Sequence, residues 1–380
     1  MKVTMLDLVA QYQSIREEID GAIAEVIASG HFILGPQVQG LEKEMASYCR
    51  CSYAVGVASG TDALHLALRA CGIGEGDGVI TSPFTFIATA EAISYVGARP
   101  IFLDIEASSF NLDPNQVEDF LKGRLEAKGA CFRFRQKARA LLPVHLYGRS
   151  ADMTAFREIA SRHNLAMIED CAQAIGSEHK GERAGSFGQA GCFSFFPTKN
   201  LGGYGDGGMF TTQDPNLAER VRILRQHGSR TRYFHEELGF NSRLDEIQAA
   251  ILRVKLRHLD AWIEGRRRIA DLYRQHLNHG PIVLPQDDPE GRHIYHQFTI
   301  RVPQRDALQA YLKEKGIATM IYYPVPLHQQ KVYAHLGYEE GDLPQSERAA
   351  REVLSLPIYP ELPFDQIGLI AEAVRGFYQG

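Results

Sequence analysis

Short apolar runs alternate with amphipathic stretches along the first two hundred residues of the chain. The apolar runs predict strands at residues 54–58, 79–80, 100–103, 141–146, 166–168 and 192–196. Apolar residues at helical spacing predict helices over 62–70, 88–95 and 152–163. This alternation indicates the α/β class, with a large and mostly parallel sheet covered on both faces. Because ligands of such sheets bind beyond the C-terminal ends of the strands, we look for chemistry there.

From residue 243 to residue 277 the pattern becomes one long helical run, with an interruption or bend expected near Gly265. Such a helix spans about 50 Å, which is enough to leave one domain and enter another. Afterwards the pattern is again β-α-β-like, over 293–302, 306–316 and 318–324, and a helical stretch closes the chain. We therefore predict a large domain over 1–245, and a linking helix with a smaller C-terminal α/β domain over 246–380.

The composition narrows the class of protein. The chain has 380 residues, of which 44% are hydrophobic and 23% charged, values typical of a globular enzyme. A net charge of −5 argues against a protein that coats nucleic acid. The N-terminal residues are too polar for a signal peptide, and no apolar run is long enough to span a bilayer. The six cysteines are scattered, which supports neither a metal site nor a disulfide framework. We expect a cytoplasmic protein without metal, nucleic acid or membrane partners.

A basic insert over 122–139 carries seven positive charges. Two interpretations are open for it. The charges form a phosphate-binding patch, or the insert is a solvated surface loop or hairpin, which is the more common origin of such a run.

Segment 58–64, with the sequence ASGTDAL, follows the first predicted strand. A small, hydroxyl-bearing turn that begins a helix presents free backbone N–H groups and the positive end of the helix dipole, and so can bind phosphate. Ser59, Thr61 and Asp62 are also ordinary helix-capping residues, so the segment alone does not decide between the two roles.

Two further strand ends carry ionisable groups. Asp170 closes the strand at 166–168, where a carboxylate can keep a pyridine nitrogen protonated, although it can equally cap the next helix. Lys199 follows the run at 192–196 and precedes the glycine-dense loop 202–208. Glycines allow close approach of a ligand, and burial lowers the pKa of an amine that must form a Schiff base.

Asn241 and Arg243 lie at the head of the long helix, where they can reach a phosphate or carboxylate or simply cap the helix. A phosphate turn, an acid at a strand end, a lysine about thirty residues later and a glycine-rich loop occur in that order. Together they are what the chemistry of pyridoxal 5′-phosphate requires.

The chain resembles the DegT/DnrJ/EryC1/StrS family of pyridoxal-phosphate-dependent sugar aminotransferases. The similar motifs extend over nearly the whole sequence: GHFILGP (30–36), ASGTDAL (58–64), PFTFIATAEAI (83–93), PVHLYG (143–148), EDCAQA (169–174), SFFPTKNLGGYGDGG (194–208), NSRLDEIQAA (241–250) and YYPVPLH (322–328). The insert at 122–139 is longer than expected for the family. The resemblance implies the fold of aspartate aminotransferase (fold type I).

The resemblance also implies roles for individual residues. Catalysis is assigned to Lys199, which carries the cofactor and shuttles a proton, and to Asp170, which pairs with the pyridine nitrogen. The remaining cofactor-binding residues are Gly60, Thr61 and Ser194 at the phosphate, Phe86 on the ring face, Gln173 beside the ring, and Asn241 from a neighbouring subunit. A homodimer with shared active sites follows from Asn241. The candidate substrate residues are His31, Arg243, Tyr323 and His328.

The implied reaction transfers the amino group of L-glutamate to a nucleotide-linked keto-sugar through pyridoxamine 5′-phosphate, giving an amino-sugar for surface polysaccharide or secondary-metabolite biosynthesis. The stretch 227–262 is most similar to members that aminate carbon 3. Relatives that dehydrate sugars have histidine at the position of Lys199, so this lysine favours transamination. Three alternatives remain: amination of a free keto-cyclitol or sugar phosphate, a pyridoxal-phosphate-binding regulator without turnover, and a nicotinamide dehydrogenase. The last lacks the G-x-G-x-x-G fingerprint.

Overall fold

The computed structural model describes residues 3–125, 137–278 and 280–379. The helices are α1 (Leu8–Ser14), α2 (Arg16–Ser29), α3 (Pro36–Cys49), α4 (Gly60–Ala70), α5 (Ala88–Tyr95), α6 (Pro114–Leu121), α7 (Met153–His163), α8 (Pro215–Leu224), α9 (Glu246–His276), α10 (Arg305–Glu314), α11 (Pro344–Glu352) and α12 (Phe364–Gln379). The strands are β1 (Tyr53–Val57), β2 (Gly78–Thr81), β3 (Arg99–Phe102), β4 (Ala138–Leu142), β5 (Ala166–Asp170), β6 (Glu178–His179), β7 (Glu182–Arg183), β8 (Ala190–Ser194), β9 (Gly208–Thr212), β10 (Ser229–Thr231), β11 (Phe234–His235), β12 (Gly291–Arg292), β13 (Phe298–Arg301) and β14 (Val353–Leu356).

One large sheet has the strand order β1-β9-β8-β5-β4-β2-β3. All neighbours pair in parallel except β9, which runs antiparallel to β8 and to β1. Six strands therefore end at the same edge, and the expected α/β class with a mostly parallel sheet is confirmed. Since β9 runs the other way, its first residue also lies at this edge.

Both faces of the sheet are covered because consecutive strand residues point to opposite sides. Leu142 and Ile168 pack in one cluster with helices α4, α5 and α8. Their neighbours Leu141 and Met167 pack under α6 and α7 on the other face. The continuous apolar runs of the sequence have this double burial as their cause.

Helix α9 is continuous, so the chain is not interrupted near Gly265, and a bend there stays a prediction. A Cβ atom at Gly265 would lie 3.3 Å from the Cβ atom of Pro360. Glycine thus allows a close approach between α9 and the segment of Pro360, and the helix stays unbroken.

A second core lies at the C-terminal end of α9, where the buried Tyr273 packs with β13, β14, α10 and α12. Val3 also belongs to this cluster, so the start of the chain packs with its end. The domain boundary at 245 stays a prediction.

The β-α-β prediction for the C-terminal part was wrong in one element. Segment 318–324 is not a strand, and the partner of β13 is the antiparallel β14. Met320 makes only an isolated bridge with Ser355. The apolar residues Ile321 and Tyr322 instead pack against a buried cluster around Phe84.

Only part of the basic insert falls within the described residues. Lys122 forms an ion pair with Glu118, and Arg124 lies 3.7 Å from Asp119. Residues 126–136, with Lys128, Arg133 and Arg135, lie outside the described residues. Both interpretations of the insert, as a phosphate-binding patch or as a surface loop, therefore stay predictions. Among the described helices, none is long and apolar enough to cross a bilayer.

Candidate active site

Lys199 lies in a turn just beyond the C-terminal end of β8. Within the described residues its amine has neither a hydrogen-bond nor an ion-pair partner. Burial lowers the pKa of this amine to about 8, although the negative charge of Asp170 acts in the opposite direction. An amine with such a pKa is partly unprotonated near neutral pH, as a nucleophile for an aldehyde must be.

Asp170 is the last residue of β5 and is 5% exposed. Its Oδ2 atom accepts a hydrogen bond of 2.7 Å from the Thr89 hydroxyl, and its Oδ1 atom accepts one of 3.1 Å from the Ala172 N–H group. Burial raises the pKa of the carboxyl group, while these two bonds and the charge of Lys199 oppose the rise. The two hydrogen bonds therefore hold the carboxylate in place at the strand end, where it interacts electrostatically with the charge of Lys199.

Gln173, Tyr323 and Phe86 lie around the same space. The Gln173 Oε1 atom accepts from the Tyr147 N–H group over 2.8 Å, and Nε2 donates to the Tyr323 hydroxyl over 3.1 Å. The Tyr323 ring lies 6.2 Å, between centroids, from the ring of Phe86, which is 57% exposed. Phe86 thus presents an open aromatic face beside a fixed amide and a phenol.

The predicted phosphate turn meets the end of β8. Helix α4 begins at Gly60, and the Oγ atom of the capping residue Ser59 accepts from the Asp62 N–H group over 3.1 Å. The cap therefore leaves the N–H groups of Gly60 and Thr61 at the helix terminus. A Cβ atom at Gly60 would lie 2.6 Å from the Cβ atom of Ser194, so only glycine allows this approach.

These residues fit pyridoxal phosphate. Lys199 offers an amine of lowered pKa for its aldehyde, and Asp170 offers a carboxylate for its ring nitrogen. Gly60, Thr61 and Ser194 offer a helix terminus and a hydroxyl for its phosphate. Four of the six parallel strand ends contribute to the site, directly or through the segment that follows them.

His31, Asn241 and Arg243 lie around the head of α9, where the Ser242 hydroxyl joins this segment to the phosphate turn by donating to Oδ2 of Asp62 over 2.7 Å. His31 and Asn241 are exposed and Arg243 is half-buried. The Phe32 carbonyl accepts a hydrogen bond of 3.1 Å from the Glu246 N–H group, which joins the His31 segment to the helix head. No contact within the described residues joins these three side chains to Lys199, so their roles stay predictions.

His328 is fully enclosed by protein. Its Nε2 atom lies 3.2 Å from Oε1 of Glu347, and its Nδ1 atom has no hydrogen-bond partner among the described residues. In this arrangement the ring contacts protein only, and a contact with substrate stays a prediction.

Sequence reasoning missed Thr89 as a functional residue. Thr89 lies one helical turn after Phe86, and its N–H group donates to the Phe86 carbonyl over 3.3 Å. This spacing within the 83–93 motif places both side chains on one side of the chain, which was a signal available in the sequence.

His145, Glu169 and Cys171 form a buried group whose ligand atoms lie within 4.8 Å of one another. Their polar atoms are already used. Glu169 accepts three backbone N–H groups and faces Nε2 of His145 at 3.0 Å, while Nδ1 of His145 accepts from the Ala151 N–H group. This hydrogen-bond pattern accounts for the group as a structural one.

The family model of the DegT/DnrJ/EryC1/StrS aminotransferases matches residues 13–375. A pleiotropic regulatory protein of Geobacillus stearothermophilus is 51% identical over 100% of this chain and 99% of its own length. The UDP-N-acetyl-3-dehydro-alpha-D-glucosamine 3-aminotransferase of Acidithiobacillus ferrooxidans is 47% identical over 100% of this chain and 98% of its own.

The crystal structure of DesV from S. venezuelae, in complex with a ketimine intermediate, is similar with a TM-score of 0.94 and 46% identity. The match covers 100% of this chain and 99% of that one. The predicted fold class, aminotransferase activity and pyridoxal-phosphate cofactor are confirmed by these likenesses. The chain belongs to the DegT/DnrJ/EryC1/StrS aminotransferase family.

Proposed function

We propose that this protein transfers the amino group of L-glutamate to carbon 3 of a keto-sugar linked to a nucleoside diphosphate, releasing an amino-sugar nucleotide. The observation that carries the transamination is the amine of Lys199, whose pKa is lowered to about 8 by burial, beside the carboxylate of Asp170. The choice of substrate is supported by the 3-amination that the relative from A. ferrooxidans carries out by name.

When bound, pyridoxal phosphate supplies an electron-withdrawing ring that makes the Cα–H bond of glutamate acidic. Lys199, released from the cofactor, takes the proton from Cα and delivers it to C4′, acting first as general base and then as general acid. A pKa near the working pH suits both directions of this transfer. In the second half-reaction the same amine moves protons in the reverse order.

Asp170 holds the proton on the ring nitrogen, because a buried carboxylate favours a neighbouring positive charge. Phe86 would cover one face of the ring, and Gln173 would hold its phenolic oxygen. The N–H groups at the start of α4 and the Ser194 hydroxyl would hold the phosphate.

We assign the fourth phosphate contact, Asn241, to a neighbouring subunit, so the enzyme works as a homodimer with shared sites. Its side chain is exposed, which is consistent with that role. His31 and Arg243 also lie around the head of α9 and are proposed to contact the substrate. Tyr323 and His328 are proposed to do so from within one subunit. A cytoplasmic location stays a prediction.

A regulator that binds the cofactor without turnover is the second candidate, since the relative from G. stearothermophilus is named as a regulatory protein. Turnover is favoured over binding alone by the relative from A. ferrooxidans, which is named as an aminotransferase and is 47% identical. Amination of a free keto-cyclitol or sugar phosphate differs from the main proposal only in the substrate.

The test is 2-oxoglutarate formation from glutamate with a panel of 3-keto and 4-keto nucleotide sugars, scyllo-inosose and keto-sugar phosphates. Turnover with a 3-keto nucleotide sugar above all others supports the proposal, and turnover with scyllo-inosose alone contradicts the substrate. If none of the acceptors is turned over and glutamate does not convert the cofactor, the regulator is favoured.

Lys255 is a matched control for Lys199, because burial lowers its pKa to about 8 as well. Its Nζ atom donates to the Gly202 carbonyl over 2.7 Å. Borohydride should fix the cofactor covalently to the parent protein and to Lys255→Met, and not to Lys199→Met, as measured by the mass of the intact chain. Turnover of Lys199→Met should fall about a thousandfold.

A further inference from the structure

The turn that carries Lys199 is held by few bonds of its own. The Lys199 N–H group donates to the Phe196 carbonyl over 2.8 Å, and the Gly203 N–H group donates to the Phe195 carbonyl over 2.8 Å. Both bonds are local to the turn. They fix its shape, and its position relative to the rest of the site depends on side chains from other segments.

His296 provides such a contact from the segment that precedes β13. Its Nδ1 atom lies 3.0 Å from Oδ1 of Asn200, the residue directly after Lys199. His296 is 8% exposed and Asn200 is 6% exposed. Because an amide oxygen only accepts hydrogen bonds, Nδ1 carries the hydrogen in this arrangement and Nε2 is the unprotonated nitrogen. Burial lowers the pKa of His296 far below its ordinary value, and the positive charges of Lys199 and Arg266 lower it further. The ring is therefore neutral and stays a directed donor.

The backbone of His296 is fixed in turn. Arg266, a buried residue of α9, donates from Nη1 to the carbonyl oxygens of His296 and Ile358 over 3.2 and 2.8 Å. A Cβ atom at Gly148 would lie 2.8 Å from the backbone nitrogen of His296, so the large domain packs tightly against this point. The donor atom thus has a defined position relative to the sheet edge.

The amide of Asn200 is only half satisfied. Its Nδ2 atom is buried and has no hydrogen-bond partner among the described residues. A buried donor without a partner costs free energy, and two apolar side chains of similar size would avoid this cost. Stability alone therefore does not account for the pair.

We infer that His296 is a positioning residue for Lys199, acting through the side chain of Asn200. The inference rests on the proposed transamination, in which the Lys199 amine leaves the cofactor, moves a proton between two carbon atoms and then returns. A small displacement of the turn would misalign the amine at both atoms, and proton transfer depends steeply on such alignment. His296 keeps the base of the lysine side chain at one place throughout.

Two near-isosteric variants separate this role from a general effect on folding. In His296→Asn the amide nitrogen occupies the place of Nδ1 and still donates to Asn200. In His296→Gln the amide nitrogen occupies the place of Nε2, and the bond is lost. The holoenzymes are compared by kcat and KM for glutamate, by the pH dependence of the visible absorbance of the Lys199-bound cofactor, and by melting temperature.

We expect His296→Gln to lose about tenfold in kcat with KM within about twofold, and His296→Asn to retain at least about a third of kcat. The absorbance titration should shift by about half a pH unit or more in His296→Gln alone. If the two variants have equal kcat values and equal titrations, the proposal is overturned. It is also overturned if kcat falls only in proportion to a lower melting temperature.

Asn200→Ala removes the same bond from the other side and serves if His296→Gln does not fold. The double variant should be no worse than either single variant, because both remove one interaction, whereas multiplied losses contradict the inference. If the parent enzyme aminates no sugar, the absorbance titration still distinguishes the variants, so failure of the proposed function is separable from failure of this inference.

Discussion

The hydroxyl group of Thr89 donates a hydrogen bond of 2.7 Å to Oδ2 of Asp170, and both side chains are buried. The Oγ1 atom of Thr85 lies 3.0 Å from that of Thr89 and extends the chain of hydroxyl groups. Burial raises the pKa of Asp170, and the bond from Thr89 opposes this rise. Thr89 therefore helps to keep the carboxylate ionised, the state that pairs with a protonated ring nitrogen.

Thr89→Val keeps the shape of the side chain and removes the donor. We expect kcat for the glutamate half-reaction to fall about tenfold, because a larger fraction of Asp170 is then protonated and neutral. Thr89→Ser keeps the hydroxyl and should stay within about threefold of the parent. Stopped-flow measurement of cofactor conversion gives the rates, and equal losses in the two variants would show that packing, and not the hydroxyl, matters.

Asp170→Asn should separate stability from activity. The asparagine Oδ1 atom can accept from the Ala172 N–H group, and its amide nitrogen can donate to the Thr89 oxygen, so the side chain fits the same place. The proton on the ring nitrogen loses its partner, and turnover should fall at least about a hundredfold. The cofactor-free protein should be about 1 kcal/mol more stable at pH 7 than the parent.

The pH dependence of the stability difference between Asp170→Asn and the parent follows from the direction in which the pKa of Asp170 is shifted. A folded-state pKa that burial raises means that Asp170 contributes stability at low pH, and this contribution is lost as the pH rises through the folded pKa. The stability difference from Asp170→Asn should therefore shrink on acidification, as measured by chemical denaturation of the cofactor-free proteins between pH 4 and pH 8. A constant difference over this range contradicts the assignment.

The sheet edge was predictable from the sequence because the strands are buried on both sides. The apolar runs at 79–80 and 166–168 lie within β2 and β5, and the run at 141–146 overlaps the end of β4. Asp170 closes β5 and Lys199 lies beyond the end of β8, as expected. Parallel order then places the polar residues after each strand on one edge, whatever the details of the loops.

Contacts between distant segments were not predictable. The apolar residues of 318–324 have the composition of a strand, but Ile321 and Tyr322 pack against the cluster around Phe84. A break or bend is expected at Gly265, but the helix is unbroken there and the glycine lies close to Pro360. The pairing of His328 with Glu347 depends likewise on the packing of α11. In each case the local pattern is the same for both outcomes, and tertiary contacts decide.

Gly60→Ala tests the contact between the phosphate turn and β8. The new Cβ atom would lie 2.6 Å from that of Ser194, so the turn or the strand end must move, and the affinity for the cofactor should fall about tenfold. Gly21→Ala is the control, because nothing lies within 4 Å of a Cβ atom at that position in α2. Cofactor titration followed by absorbance measures both, and an unchanged affinity in Gly60→Ala contradicts a phosphate site at this turn.

Mixed dimers test the sharing of active sites. Lys199→Ala lacks the proton carrier, and Asn241→Ala lacks the contact that we assign to the opposite subunit. In a heterodimer of the two, the site with an intact Lys199 receives its Asn241 from the Lys199→Ala subunit and is complete. The other site lacks both groups. Half of the dimers formed by refolding an equal mixture are heterodimers, each with one complete site of two, so about a quarter of the parent activity should return. If Asn241 served its own subunit, neither site of the heterodimer would be complete, and mixing would restore nothing above the average of the two variants.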